Sequence, residues 1–560
     1  MSWHHAPFYI LIINAASFRE YSVRFLPVNL NAIIVELCNL DETLALFDSL
    51  NSSPISGVEE IIPAARTLLI RFRPNIIADS QLAREINRRN LNTRDRTTGK
   101  LVEIPVYYTG EDLAEVADIL GITIKEVIKR HTENEYTVAF TGFAPGFAYL
   151  VANSNVLHVP RRMTPRARLP AGSVGLAGEF SGIYPQTSPG GWQIIGITPE
   201  RMWDLSRNPP ALLQPGFRVR FRDKSKGTTV TITKPESQIT PTIDVISSQV
   251  DKRPSLAILS TGIQTLFQDL GRSGQAGLGI AAAGALDKTA LRSANRIVGN
   301  PSDSACLEIV EGGLSFISHG CVIIAVTGAD CPIVIQTASG RKFQAGSYQP
   351  VDLSEGDKVT LGTPKAGVRS YLAVRGGFAQ QPILSSRSYD TLAHIGPKPV
   401  ATGDLLNILS VTRSFAVSMD EGPAFNMPAP DDIVTLDIIL GPRTDWFTEE
   451  ALSLLQNQLW RVTPQSNRVG IRLNGGTPLS RINHEELPSE GTAVGAIQVP
   501  ASGQPVLFLA DHPLTGGYPV IGSVASYHLD LAGQIPINAH IRFNPINEFH
   551  EIQEALTVHE

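Results

Sequence analysis

Three stretches in the first half gather residues able to bind an anion. Within Pro160–Gly178, PRRMTPRARLPAGSVGLAG, the four arginines Arg161, Arg162, Arg166 and Arg168 crowd together. Arginine forks bind phosphate or carboxylate bidentately. A solvated charged face is the plainer reading of such a run. The adjoining Gly172, Ser173 and Gly175 are uncharged and could present backbone N–H groups to an anion. Upstream, FTGFAPGFAYL (Phe140–Leu150) places Gly142 and Gly146 where backbone can approach a ligand, with Phe143, Phe147 and Tyr149 as walls. The alternative there is a Gly-Pro turn carrying core aromatics. Downstream, IYPQTSPGGWQIIG (Ile183–Gly196) raises three readings: a phosphate loop, a nucleophile turn around Ser188, or a hairpin. It lacks the GxxxxGK[ST] of a P-loop and is not GxSxG. The default is a β-turn with Pro189 second and Gly190 third.

The second half carries three more clusters. Gln268, Asp269 and Arg272 sit on a turn in GIQTLFQDLGRSGQAGLGIAAAGALD, and Asp287 at its end is placed to cap a helix. QSNRVGIRLNG sets Arg468 and Arg472 four apart. GAIQVPASGQPVLFLADHPLTGGYPVIG gathers Gln498, Gln504, Asp511, His512, Thr515 and Tyr518 around Gly/Pro turns. Asp511 beside His512 suggests an acid/base pair, but adjacent strand residues point to opposite faces. No Ser-His-Asp, Cys-His or metal pattern appears, and HExxH is absent. Cys38, Cys306, Cys321 and Cys331 show no CxxC pairing, so reduced thiols are expected.

These clusters need a scaffold. A chain of 560 residues exceeds one core, so two to four domains are expected. Short apolar runs recur between Gly/Pro punctuation, so β structure should dominate. A net charge of −6, mixed along the chain, argues against nucleic acid as the main partner. No segment has the length of a membrane span. The N-terminal APFYILIINAAS reads as a first strand or extension rather than a signal peptide. Residues 21–95 form a small α+β unit with helices in DETLALFDSLNSS and SQLAREINRRNL; residues 96–233 open with two short helices and continue as strands. Residues 234–255 are the linker. Two further units follow, 256–420 with a helix in DKTALRSANRIVGN ended by Gly299, and 421–550. GFRVRFRD, closing the first half, resembles AHIRFNPI, closing the second. Two related barrels or two edge strands both fit.

Together the motifs carry a family resemblance. FTGFAPGFAYL, PRARLPAGSVGLAG and GIYPQTSPGGWQIIGITP resemble the first subunit of the allophanate-hydrolase type, or the B subunit of 5-oxoprolinase. QDLGRSGQAGLGIAAAGALD, ANRIVGN, SYLAVRGGF, SNRVGIRLNG, GAIQVPASGQP and DHPLTGGYP resemble the second, or C, subunit. The resemblance runs from about Arg24 to Phe543 and describes a B–C fusion. It implies a mainly β fold with an α+β N-terminal part and cyclophilin-like β-barrels, one in the first half and a pair in the second. It further implies a cytoplasmic amidohydrolase that opens 5-oxoproline with ATP, with or without magnesium. A separate A subunit is the implied partner and a small amide the substrate, with no nucleic acid or membrane; a homo-oligomer is open. The lactam oxygen would be phosphorylated and the activated carbon attacked by water. In that reading Arg161, Arg166, the Gly172–Gly175 turn with Ser173, Gly190 and Gly191 contact the anion; Gln498, Asp511 and Tyr518 orient substrate. Phe143, Phe147, Tyr149, Gln268, Asp269, Arg272 and Arg468 line the cleft. The runner-up is carboxyl transfer from carboxybiotin to urea or a similar amide, though no biotin-attachment Met-Lys-Met occurs here. A histidine-kinase regulatory module is the third possibility. The sequence departs from the family in YYTGEDL, in Asn467 and Val469, and in Asp511-His512-Pro513, where a basic, amide-bearing pair is usual.

Overall fold

The computed structural model describes residues 23–89, 91, 99–152, 157–162, 164, 166–225, 253–411 and 415–553. The apolar N-terminal stretch and nearly all of the expected linker lie outside the described residues.

Hydrophobic alternation near the start yields an antiparallel sheet in the spatial order Arg24–Asn29, Ala32–Glu36, Thr67–Phe72, Val58–Pro63. Helices Leu40–Ser52 and Asp79–Asn87 belong to this unit, and Leu46, Leu50, Leu82 and Ile86 join Ile33, Val35 and Ile70 in its core. The first helix starts where the Asn39 side chain accepts from Glu42 N at 2.9 Å, satisfying one of the N–H groups every helix start leaves open.

The next unit is a seven-stranded sheet ordered Gln193–Ile197, Ser173–Ala177, Phe180–Ile183, Ala148–Ala152, Glu135–Thr141, Arg218–Asp223, Leu101–Val106. Two helices, Leu113–Leu120 and Ile124–Glu133, pack on it through Val116 and Val127, both fully buried. The middle unit holds six- and five-stranded sheets with helix Lys288–Val298. That helix is capped by Asp287, which accepts from Ala290 N at 2.8 Å, and ends at Gly299 in left-handed backbone, as its sequence requires. The last unit is a closed seven-stranded barrel around Leu436, Ile438, Trp460, Ile497, Ile521 and Phe543. The architecture is thus mainly β with an α+β N-terminal part.

The two similar closing strands occupy equivalent places. Arg218–Asp223 pairs parallel with Leu101–Val106 and antiparallel with Glu135–Thr141. His540–Pro545 pairs parallel with Ile433–Leu440 and antiparallel with Trp460–Val462. Each therefore returns beside the first strand of its own unit, which favours related β units over coincidental edge strands.

Two buried polar nodes hold these units. His131 is sealed in the first-half core, stacked on Phe221 at 4.1 Å, with Tyr108 Oη 2.7 Å from Nδ1 and Ser181 Oγ 2.9 Å from Nε2. Burial depresses its pKa to about 3. Arg443, 3% exposed, ties the barrel to the N-terminal sheet: it pairs with Glu490 and donates to Glu36 Oε1 at 2.9 Å.

Both nodes make predictions. Below its ordinary pKa near 6.5, His131 takes a proton in the unfolded chain but not in the folded one, so its contribution to stability falls as pH drops from about 6.5 toward 3. His131→Gln should flatten the decline of stability with acid by up to about 1.4 kcal/mol per pH unit. Urea unfolding from pH 6.5 to 4.5 reads this, and equal slopes in both proteins contradict it. Arg443→Ala leaves the buried Glu490 without its cation and Glu36 with Arg24 alone, and should cost about 3–5 kcal/mol. The uncharged triple variant Glu36→Gln/Arg443→Met/Glu490→Gln should recover most of that in urea midpoint; no recovery removes the electrostatic account.

Candidate functional site at the seam of the two halves

The loops singled out in the two halves meet. Phe143, held at φ 62 in the FTGFAPGF loop, donates its backbone N–H to Thr515 Oγ1 at 3.1 Å. A side chain at Gly142 would collide with Thr515, so this approach requires glycine. Thr141 Oγ1 donates to Ala276 O at 3.1 Å, and Gly146 N to Leu278 O at 3.0 Å. Arg161 reaches across to Glu486 at 2.9 Å and Ser489 Oγ at 3.3 Å; its Nη1 lies where a Cβ on Gly517 would sit 2.9 Å away.

Beside these contacts opens a cleft of about 420 Å³ lined by Gln186, Ser188, Pro189, Gln264, Thr391, His394, Asn467 and Arg468. All three β units contribute, so the cleft exists only when the halves are together. Ser188–Gly190 is a short strand paired with Arg166–Leu169, Ser188 opposite Leu169 and Gly190 opposite Arg166. The expected β-turn is therefore corrected: its residues are drawn straight by a partner strand outside their own sequence neighbourhood. The expected neighbourhood holds, since Arg162 N also donates to Gly191 O at 2.8 Å. Trp192, buried, anchors the run against Phe147 and Tyr149. Ser188 Oγ is buried without a hydrogen-bond partner, an unspent polar group in the cleft. His394 sits in left-handed backbone, φ 57, the kind of strain that collects at ligand sites.

The cleft floor is a buried charge network. Arg468, 2% exposed, donates to Asp511 from Nε and Nη2 at 2.9 Å each, to Glu308 from Nη1, and to Gly284 O at 2.7 Å. Asp511 also accepts from Thr391 N at 2.8 Å and Thr391 Oγ1 at 2.7 Å. Burial works against the Arg468 charge, and the attraction of Asp511 and Glu308 outweighs it, so its pKa is raised. Next to it Asp390 is pushed well above the carboxylate range by burial and the Asp511 charge. Asp511 is thus an internal anchor, its oxygens taken by Arg468 and Thr391. His512 turns the other way, its Nδ1 2.9 Å from Pro513 O, so the adjacent pair does not cooperate.

Other expected site residues are spent on the fold. Arg166 clamps Asp112 with two bonds of 2.6 and 2.8 Å, and that carboxylate also takes Ile194 N at 2.7 Å. Its fork is occupied. Gly172 N donates to Tyr184 O, Ser173 N to Pro170 O, and Gly175 lies inside the sheet between two strands, so no free N–H cradle forms. Phe147 and Tyr149 are core, with Phe143 half-buried against them. Gln268 is fully buried and donates to Tyr389 O. Asp269 binds Ser386 Oγ, Ser388 Oγ and Gly271 N, fixing a loop. Arg272 donates to Ser388 O, with its Nε and Nη1 buried and unpartnered. Gln498 Nε2 donates to Tyr518 O at 3.1 Å; Tyr518 is 44% exposed, with Arg481 over its ring. Gly190 abuts the Tyr184 hydroxyl. Sequence reading missed Thr391 and His394, which lie outside any Gly-rich motif, and passed over Gln264 within GIQTLFQDLG.

Among the described residues Arg161 Nη1 is left without a hydrogen-bond partner, and no cluster of three His, Cys, Asp or Glu side chains lies together. The described cysteines are all free thiols, and no described helix is long and apolar enough to cross a membrane.

The relatives agree with this two-part construction. The family described as carboxyltransferase domain, subdomain C and D, matches residues 19–213, and subdomain A and B matches residues 278–545. The chain is 34% identical to the C subunit of 5-oxoprolinase from Escherichia coli (strain K12) over 291 residues, 51% of this chain and 90% of that protein. It is 47% identical to the B subunit of 5-oxoprolinase from Escherichia coli O157:H7 over 131 residues, 23% of this chain and 60% of that protein, so it spans less than two thirds of that relative. The crystal structure of TTHA0988 superposes with a TM-score of 0.75 at 31% identity, covering 92% of this chain and 99% of that one. The chain therefore belongs to the carboxyltransferase-domain family and joins, in one polypeptide, the regions that match the B and C subunits of 5-oxoprolinase.

Proposed function

We propose that this chain is the B–C component of an ATP-dependent 5-oxoprolinase-type amidohydrolase, opening the cyclic amide of 5-oxoproline to glutamate with a separate A subunit. One observation carries the reading: the cleft is built jointly by the B-like strand Ser188–Gly190 and the C-like loops around Thr391 and Asn467. A site that needs both halves is what two obligate subunits, joined in one chain, would share. ATP and its metal are assigned to the A subunit, because the groups of this chain do not form a phosphate cradle. What this chain supplies is a cleft in which Ser188 and the Thr391 hydroxyl hold the amide. Displacing water from around those groups strengthens each contact with the substrate.

The second reading, carboxyl transfer from a carboxybiotin carrier to a small amide, draws on the carboxyltransferase description of the matched family. The two readings part on the co-substrate. The purified chain mixed with an A subunit should hydrolyse ATP only when 5-oxoproline is added, and neither protein alone should do so. Thr391→Val should lower kcat/KM at least tenfold, about 1.4 kcal/mol in the barrier. Transfer from carboxybiotin to urea, without 5-oxoproline-dependent ATP hydrolysis, replaces the first reading with the second.

A further inference from the structure

A second cavity lies behind the Asp511–His512 step, away from the cleft. It measures about 350 Å³, within the size range of small-molecule sites, and three units line it. Its walls are largely apolar, formed by residues such as Ile62, Ala283, Leu509 and Leu514. Ala283 stands in left-handed backbone, φ 52.

Its polar groups are unevenly matched. Arg71, Lys288 and Arg292 all line it, and Arg71 and Arg292 each act on Lys288 as like charges. Two carboxylates also line it, and both are engaged. Glu60 takes Arg71 at 3.4 Å. Asp530 attracts Lys288 from a distance, but its oxygens accept from Lys288 N at 3.1 Å, Thr289 N at 3.0 Å and Thr289 Oγ1 at 2.6 Å. The Lys288 ammonium and the Arg292 guanidinium make no ion pair or hydrogen bond among the described residues. Two cations lining one cavity, with no carboxylate in direct contact, favour an anion between them.

His512 adds direction. Its Nδ1 lies 2.9 Å from the Pro513 carbonyl, which can only accept, so the proton is assigned to Nδ1. Burial depresses its pKa to about 4, leaving the ring neutral. Its Nε2 then offers a lone pair and has no partner among the described residues, while the residue lines the cavity. A ligand seated here meets both unpaired cations and a hydrogen-bond acceptor.

From this geometry we infer that the cavity is a binding site for a small organic carboxylate that also carries an N–H donor, the carboxylate against Lys288 and Arg292 and the N–H toward His512 Nε2. The assignment stands on the cavity's own groups and does not need the proposed reaction. Direct binding to the full chain, by isothermal titration calorimetry without ATP or an A subunit, tests it with three probes. 5-Oxoproline has both groups, cyclopentanecarboxylate lacks the N–H, and 2-pyrrolidone lacks the carboxylate. Affinity should fall in that order, about tenfold at each step. Lys288→Met and Arg292→Met should each weaken 5-oxoproline at least tenfold, and Ala493→Leu, which fills the cavity without touching a charge, should do the same. The last variant keeps the test valid if a charge replacement fails to fold. If neither carboxylate binds the native chain, or if 5-oxoproline binds all three variants as well as the native chain, the site does not exist. Binding as expected without turnover would count against the proposed reaction and leave this site standing.

Discussion

The molecule turns on one buried guanidinium. Arg468 comes from the loop before the barrel strand Gly470–Asn474, yet it binds Glu308 in the middle unit and the Gly284 carbonyl of the AAAGALD loop. Removing such a charge from water costs several kcal/mol, and only complete coordination offsets that. The coordination is complete: two carboxylates and one carbonyl occupy the fork. Each partner then has a second duty. Asp511 fixes Thr391 in the seam cleft, while Glu308 takes Tyr371 Oη at 2.8 Å and Leu286 N at 3.1 Å beside the enclosed cavity. The shapes of both cavities thus depend on the same ion network. An arrangement of this kind supplies position more than net stability, because an apolar core of equal volume would hold the units together as well.

Several levels of this structure were legible in the sequence, and the reason is local physics. The helix from Lys288 was readable because its apolar stripe, its Asp287 cap and its Gly299 stop lie within a dozen residues of one another. The pair of similar closing strands left related units and edge strands both open, and their shared parallel pairing favours the first. The arginine-rich stretch misled for the opposite reason. Whether Arg166 is free depends on Asp112, 54 positions away, and nothing in PRARL announces that partner. The same holds for the glycine-rich AGSVGLAG, whose N–H groups are taken by flanking strands. Residues with no motif of their own, such as Thr391, acquire a place in the site only through the chain fold.

Joining the two regions in one chain has a physical consequence at the seam. Beside apolar packing of Leu26, Ile62 and Leu69 on Ala276, Ala281 and Leu514, and the Arg443–Glu36 pair, the contacts that place the site loops are small polar ones: Phe143 to Thr515, Thr141 to Ala276, Gly146 to Leu278, Arg161 to Ser489. A neutral hydrogen bond contributes only about 0.5–1.5 kcal/mol net. Between separate proteins such contacts would have to overcome the lost freedom of two bodies. A covalent link converts that encounter to an intramolecular one at millimolar effective concentration, and weak, geometrically demanding contacts then suffice. This suits a site whose cleft is lined from every β unit, because precision of placement matters more there than strength of association.

The Asp511–His512 step shows how one short segment serves two cavities without mixing them. Asp511 lies in a turn closed by His512 N to Leu509 O, and the two neighbouring side chains leave it for different cavities. Arg468 meets Asp511 directly; His512 gives up its charge because it is buried without such a partner. The family resemblance places a basic side chain where His512 stands. A neutral ring in that position leaves the enclosed cavity with an acceptor in place of a third unpaired cation, since Lys288 and Arg292 already supply the positive charge. An anion that also has a hydrogen to donate is then favoured over one that has none, because the latter would leave the Nε2 lone pair buried and unmet.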